Sequence, residues 1–193
     1  MPQALRKQVQ SWRKSLSDSQ RVELNSKINF RLRGWFESHP QKVRKDSVWA
    51  AYRALAWEWD LAPTYAWLHE QGVRIVYPRI QADGALNFYA ADPSQTNQWV
   101  RDSQFSGLLQ PHPSTPEVDP GALYGVIVPG VAFGLQGERM GAGGGYYDRF
   151  LAAHPPILRV AVACEKQVFD ELPGQRPDEP KMHVLVTESR ALE

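Results

Sequence analysis

Residues 125–151 read GVIVPGVAFGLQGERMGAGGGYYDRFL, and the fold is decided by how this run is understood. Gly125 to Val128 is a short apolar, β-branched run closed by Pro129 and Gly130, the pattern of a buried strand that ends at a turn. After a loop, Gly141, Ala142, Gly143, Gly144 and Gly145 run into Tyr146-Tyr147-Asp148-Arg149-Phe150-Leu151, where Tyr146, Phe150 and Leu151 share one helical face. A glycine-rich loop therefore feeds a helix N-terminus. Glycine lets the backbone turn sharply and bring bare N–H groups close to a ligand, and the first helical turn adds unpaired donors at the positive end of a dipole. That geometry suits an anion.

Two familiar signatures are excluded. No Gly-Lys-Ser/Thr follows, so this is not a Walker A loop, and Tyr146 stands where the third glycine of the dinucleotide fingerprint belongs. A purely structural turn is the competing reading, since glycines also cluster where backbones pack. The neighbours favour a ligand. Arg139 can pair with a phosphate, Asp148 can hold a hard cation, and Tyr146 with Tyr147 can flank a planar ring. Taken singly, each has an ordinary alternative as a surface arginine, a helix N-terminal acid or core aromatics.

Downstream, Ile157–Ala163 reads as a strand, Gln167–Leu172 as a short helix and Met182–Thr187 as a final strand. Upstream, Val48–Leu55 reads as a strand, Asp60 as the cap of a helix over Leu61–Gln71, and Val73–Tyr77 as another strand, with Gly72 the stop between them. This is a β–α–β unit of parallel-crossover length. Gln81-Ala82-Asp83-Gly84 marks a hairpin turn before alternating Leu86, Phe88 and Ala90. Pro111, Pro113, Pro116 and Pro120 predict a loop over Gln110–Gly121, either a pocket lining and lid or a plain surface connection. At the start, Leu5, Val9, Trp12 and Leu16 predict an amphipathic helix over Ala4–Leu16, and Ser17 with Gln20 resembles a capping box for a second helix that continues through Phe36 toward His39-Pro40. The expectation is a single α/β domain over residues 1–193. It has a mostly parallel sheet flanked by helices in a Rossmann-like three-layer arrangement, and a basic N-terminal helical hairpin over 1–38.

At 193 residues with 42% hydrophobic content, one sizeable core is expected. No apolar run is long enough to span a bilayer and no signal peptide is recognisable, which predicts a soluble, cytoplasmic protein. Cys164, the single cysteine, follows Val160-Ala161-Val162-Ala163 and reads as a buried strand residue rather than a catalytic thiol. The net charge of +1 conceals an asymmetry, because 11 Lys and Arg against 3 acids fall in residues 1–45. A solvated helical face explains such a run, as does contact with a polyanion. The histidines show no metal-ligand spacing.

With these residues in view, the chain resembles the 5-formyltetrahydrofolate cyclo-ligase family, also called 5,10-methenyltetrahydrofolate synthetase. The match lies in Val128-Pro129-Gly130-Val131-Ala132-Phe133, Gly137-x-Arg139-Met140-Gly141 and Gly143-Gly144-Gly145-Tyr146-Tyr147-Asp148-Arg149-Phe150-Leu151. It extends more weakly to Leu5-Arg6, Glu58, Pro78-Arg79, Gln110-Pro111 and Val186-Thr187-Glu188. The resemblance implies an ATP- and Mg²⁺-dependent closure of 5-formyltetrahydrofolate to 5,10-methenyltetrahydrofolate with release of ADP and phosphate. It implies that Arg139, Tyr146 and Asp148 are catalytic, that Arg6, Gly141–Gly145 and Tyr146 hold the nucleotide, and that Asp148 binds Mg²⁺. Glu58, Pro78, Arg79 and Tyr146 would lie on the folate side. The implied partners are ATP and a reduced folate, with a monomeric protein, no membrane and no nucleic acid.

The chain departs from the family pattern at Pro2, where a lysine is usual, and at Gly134, where an acid often follows Ala-Phe. It departs again at Asp178-Glu179 and His183, where His-Asp and a second Asp are common. Two other classes remain as alternatives: a sugar-phosphate or acyl-transfer enzyme using the same anion loop, and a nucleic-acid-binding module using the basic N-terminus.

Overall fold

The computed structural model describes residues 2–102 and 107–193. The α-helices among them are α1 (Pro2–Ser15), α2 (Asp18–Ser38), α3 (Ala62–Glu70) and α4 (Tyr146–Ala153). The strands of the first half are β1 (Val48–Ala50), β2 (Arg74–Ile80), β3 (Leu86–Tyr89), β4 (Trp99–Arg101), β5 (Leu109–Pro111) and β6 (Glu117–Val118). Those of the second half are β7 (Leu123–Val128), β8 (Ala132–Gly134), β9 (Arg139–Met140), β10 (Leu158–Val162), β11 (Val168–Phe169), β12 (Val184–Val186) and β13 (Ala191–Leu192).

The main sheet has the order β13-β12-β10-β7-β1-β2-β3-β6. From β12 to β2 the strands are parallel, and antiparallel strands close both edges. β7 shows how one sequence supports a layer on each face. Ile127 packs with Trp49, Val160 and Val184 beneath α2 and α3, whereas Val126 and Val128 pack with Val48, Ala50 and Ala161 against Phe150 and Leu151 of α4. Successive side chains of a strand point to opposite faces, so an unbroken apolar run is what a strand covered on both sides requires. Gly125 is paired in register with Trp49, and a Cβ added there would lie 2.6 Å from the indole, so the glycine makes room for that ring. The three-layer α/β domain expected from the sequence is present.

β1 leads through α3 to β2 on one side, while β7 leads through α4 to β10 on the other. The chain order reverses between β1 and β7, and the carboxyl ends of those strands open the crevice where such sheets bind ligands. The two N-terminal helices divide between layers. α2 covers the main sheet, held at its start by the Ser17–Gln20 capping box, and α1 packs through Val9, Leu5 and Trp12 on a small sheet of order β11-β8-β9. The expected N-terminal helical pair is present, and of the two helices only α1 borders the crevice.

Several boundaries differ from the sequence reading, four of them beside the crevice or its edges. β1 ends at Ala50 instead of Leu55, because residues 52–59 curl into the lip of the crevice, closed by Tyr52 Oη donating to the Trp59 carbonyl at 2.7 Å. α3 is capped at Leu61, and Asp60 accepts from the Ala62 N–H at 3.0 Å from just outside it. The proline-rich stretch is no unbroken loop, since β5 pairs with β4 and β6 with β3; prolines are tolerated on such edge pairings. Residues 167–172 form no α-helix. The buried Gln167 side chain accepts from Trp59 Nε1 and donates to the Val131 carbonyl, holding the chain so that it enters β11 directly.

Candidate active site

The crevice contains a cavity of about 540 Å³. Its first wall is a single run of chain from Pro129 to Asp148. Gly145 caps α4 at φ 67°, a left-handed conformation that suits glycine, and the adjoining loop is pinned from outside by Arg149, which donates to the Gly144 and Gly84 carbonyls. A Cβ on Gly141 would lie 2.8 Å from Arg139 Nη1, so the glycine allows the arginine to pass beneath the loop. The sequence-predicted Gly141, Ala142, Gly144, Gly145, Tyr146, Arg139 and Asp148 all line the cavity, and Gly143 turns away at φ 116°.

Arg139 is 8% exposed and uses two donors inside the protein. Nη1 donates to the Pro129 carbonyl at 3.1 Å and Nη2 to Asp148 Oδ1 in a close ion pair, while the guanidinium lies 5.8 Å from the Tyr147 ring centre. A charged pair of this kind holds both side chains in place more firmly than a neutral hydrogen bond. Tyr147 Oη is buried without a partner among the described residues, and burial pushes its hydroxyl well above the ordinary tyrosine range.

α1 reaches the same wall through two arginines seven residues apart, which places them on one helical face. Arg6 Nε donates to the Gly141 carbonyl at 2.9 Å, steadying the glycine loop from outside the cavity lining. Arg13, one of the 11 Lys and Arg in residues 1–45, is 2% exposed, borders the cavity, and donates through Nη2 to the Gly130 carbonyl at 2.7 Å. The i, i+7 spacing to Arg6 was the available signal.

The opposite wall is assembled from separate segments. Glu58 lines it, accepting from the Leu55 N–H at 2.9 Å; burial raises its carboxyl above the ordinary value, against the pull of that hydrogen bond and of Arg13. Pro78 lines it as expected, but Arg79 does not, because its guanidinium donates to the Pro111 carbonyl at 3.1 Å and ties β2 to β5. The sequence did not single out Tyr52, Arg53, Trp57 or Trp99. Trp99 stands between the edge of Tyr77, 5.2 Å away, and the Arg53 guanidinium 4.5 Å over its ring. Trp57 borders the cavity at 39% exposure.

The departures from the family pattern have local explanations. A Cβ on Gly134 would fall 2.2 Å from Glu138 Oε2, so the Glu138 carboxylate fills the space of the missing acid. There it accepts from the Gln136 N–H at 3.1 Å and pairs with Lys181 at 3.1 Å, which is structural work on the β8–β9 turn. Pro2 opens α1, a position where its fixed φ is favourable. Glu179 pairs with Arg176 at 3.2 Å, and the His183 ring accepts from the Arg159 N–H at 3.0 Å. Cys164 is buried as expected, its thiol donating to Glu188 and pushed up to about 12, chiefly by burial.

Among the described residues, no three His, Cys, Asp or Glu side chains gather as a metal cage. Asp148 faces the cavity as a single carboxylate, a donor set that fits a cation bringing most of its ligands along as water and phosphate. No helix among these residues is long and apolar enough to cross a membrane.

A glycine loop and helix N-terminus at the switch point of a parallel sheet, facing aromatic rings and a buried acid, are the features of an α/β ligand-binding site, with donors suited to an anion on one side and planar rings on the other. Comparison with known proteins makes the class particular. The model of the 5-formyltetrahydrofolate cyclo-ligase family matches residues 2–187, and the chain belongs to that family. The 5-formyltetrahydrofolate cyclo-ligase of Escherichia coli is 26% identical over 188 residues, covering 96% of this chain and 99% of its own. The fold matches that of Aquifex aeolicus 5,10-methenyltetrahydrofolate synthetase with a TM-score of 0.78 and 30% identity, over 100% of this chain and 92% of that one. The Mycoplasma pneumoniae 5,10-methenyltetrahydrofolate synthetase shares the fold with a TM-score of 0.76 at 23% identity, over 97% of this chain and 98% of that one.

Proposed function

We propose that this protein uses ATP to cyclise 5-formyltetrahydrofolate to 5,10-methenyltetrahydrofolate, releasing ADP and phosphate. The observation that carries the reading is the opposition of two unlike walls across one cavity of about 540 Å³. A formamide oxygen is a poor leaving group because the C–N bond shares its electrons with the carbonyl. Transfer of the γ-phosphoryl group to that oxygen makes it leave, and N10 then closes the ring. Catalysis becomes positioning and charge neutralisation.

Gly141–Gly145 and the α4 N-terminus hold the nucleotide phosphates through backbone N–H groups. Arg6 and Arg139 support the loop, each through a hydrogen bond to a backbone carbonyl of that wall. Tyr146, at the start of α4 with the Arg149 guanidinium 5.2 Å from its ring centre, stands between the phosphate loop and the pterin. Glu58 and Pro78 bound the folate, and Arg79 acts by holding β2 to β5 rather than by contact. Mg²⁺, brought in with ATP and held on the protein by Asp148, would neutralise phosphate charge. One copy of the chain supplies both walls, which supports a monomer, and a buried free thiol at Cys164 suits a reducing, cytoplasmic setting.

The test is direct. Purified protein with ATP, Mg²⁺ and 5-formyltetrahydrofolate is expected to produce the near-ultraviolet band of the methenyl product, and Asp148→Asn to slow it by about a hundredfold or more. No band under any metal or pH overturns the assignment.

A further inference from the structure

The two buried arginines of the site differ in how their charge is met. Arg139 has Asp148 against it, so the pair adds little net charge to the cavity. Arg13 makes no ion pair with any described residue. Among the described residues its only side-chain hydrogen bond is to the neutral Gly130 carbonyl and its Nε is buried without a partner, while the Trp59 ring lies 5.9 Å away. Glu58 attracts it through space without touching it, and Arg21 repels it. Burying a cation this way costs several kcal/mol unless an anion arrives to meet it. Arg13 borders the open cavity, together with Arg139 and Tyr147, whose Nε and Oη are buried without a partner among the described residues.

Resting on the ring-closure reading above, we propose that Arg13 is the cation facing the phosphoryl group during its transfer, in an anion subsite at the junction of α1 with Gly130. In the first step the bond from the γ-phosphorus to the ADP oxygen breaks as a bond from phosphorus to the formyl oxygen forms. In the second, N10 attacks the formyl carbon and gives up its proton to water, the carbon–oxygen bond breaks, and phosphate departs with that oxygen. A doubly charged phosphoryl group occupies the same place in both steps. An uncompensated buried guanidinium meets that charge most strongly, because little water is present to screen it. Arg139, already matched by Asp148, keeps the loop in position.

The experiment compares wild type, Arg13→Met and Arg13→Lys, with inorganic phosphate as the probe. Phosphate is expected to raise the melting temperature of the wild type and to inhibit ring closure in competition with ATP. Arg13→Met should lose both responses and lower kcat about a hundredfold or more, with KM for 5-formyltetrahydrofolate changed less than about threefold. Arg13→Lys, a point charge without the planar fork, should weaken phosphate inhibition about tenfold and retain part of the rate. A folded Arg13→Met with wild-type phosphate inhibition and kcat within about threefold overturns the subsite. If Arg13→Met does not fold, unchanged phosphate inhibition in Arg13→Lys overturns it equally. The underlying reading fails separately: a wild type that forms no methenyl product, yet shows phosphate protection dependent on Arg13, keeps the subsite and loses the ring closure.

Discussion

One wall of the cavity is a continuous run from Pro129 to Asp148, and the other is gathered from the loop after β1, from β2 and from the β4–β5 pair. The continuous wall takes its shape from local rules: a left-handed glycine, a helix N-terminus, and an arginine threaded under a residue with no side chain. Arg149 pins its loop from one side and Arg6 from the other. The gathered wall depends on packing between distant segments, and it ends in Trp57, a half-exposed indole at the rim. A pre-set wall suits phosphates, whose geometry is the same in every nucleotide. A composite wall is where ring shape is selected.

The sharpest way to break the first wall is Gly141→Ala. The added methyl would sit 2.8 Å from Arg139 Nη1, so the guanidinium must move off the Pro129 carbonyl, off Asp148, or both. Displacement of about 1 Å at a positioning residue costs on the order of a hundredfold in rate. We expect kcat for ring closure to fall by about that factor, with a loss of thermal stability of about 1–2 kcal/mol from disturbing the buried pair. Steady-state kinetics with denaturant unfolding checks it. A variant with wild-type kcat shows that the loop does not govern Arg139.

The gathered wall is tested by Trp57→Ala. Trp57 makes no hydrogen bond or ring contact with the described residues and lies outside the core clusters, so its removal should leave the melting temperature within about 2 °C of wild type. If the indole stacks on the folate, KM for 5-formyltetrahydrofolate should rise about tenfold, equivalent to about 1.4 kcal/mol, with KM for ATP unchanged. An equal rise in both constants would falsify the division of the cavity into halves.

The same contrast explains what the sequence disclosed. Gly145 and Tyr146 were readable because a glycine-rich run before an apolar helical face has few other meanings, and the apolar run Val126–Val128 announced a strand covered on both sides. Trp99 and Arg53 carry no such mark, since their neighbourhood exists only once β4 meets β5 and β1 meets β2. Arg13 lay between, its spacing from Arg6 visible but its burial not, because a basic residue on a basic helix is ordinarily solvated. Gly134 shows the reverse case: the sequence displays the missing acid but not the Glu138 carboxylate that packs against the glycine across a hairpin turn.

Glu58 offers the smallest effect and a test of sign. Burial raises its carboxyl above the ordinary glutamate value, outweighing the Leu55 N–H and Arg13. The folded protein therefore holds this proton more tightly than the unfolded chain does. As pH rises from about 4, near the ordinary glutamate value, the unfolded chain releases the proton first, so the contribution of Glu58 to stability falls until the raised value is passed. Glu58→Gln removes that slope while its amide oxygen can still accept from the Leu55 N–H. Urea unfolding of ligand-free protein from about pH 4 to pH 8 should show wild type losing ground to the variant as pH rises, then running parallel. Parallel curves throughout, or a wild type that gains ground, mean that Arg13 compensates the buried acid fully. In that case Arg13 is spent on Glu58, and the continuous wall must meet the phosphates without it.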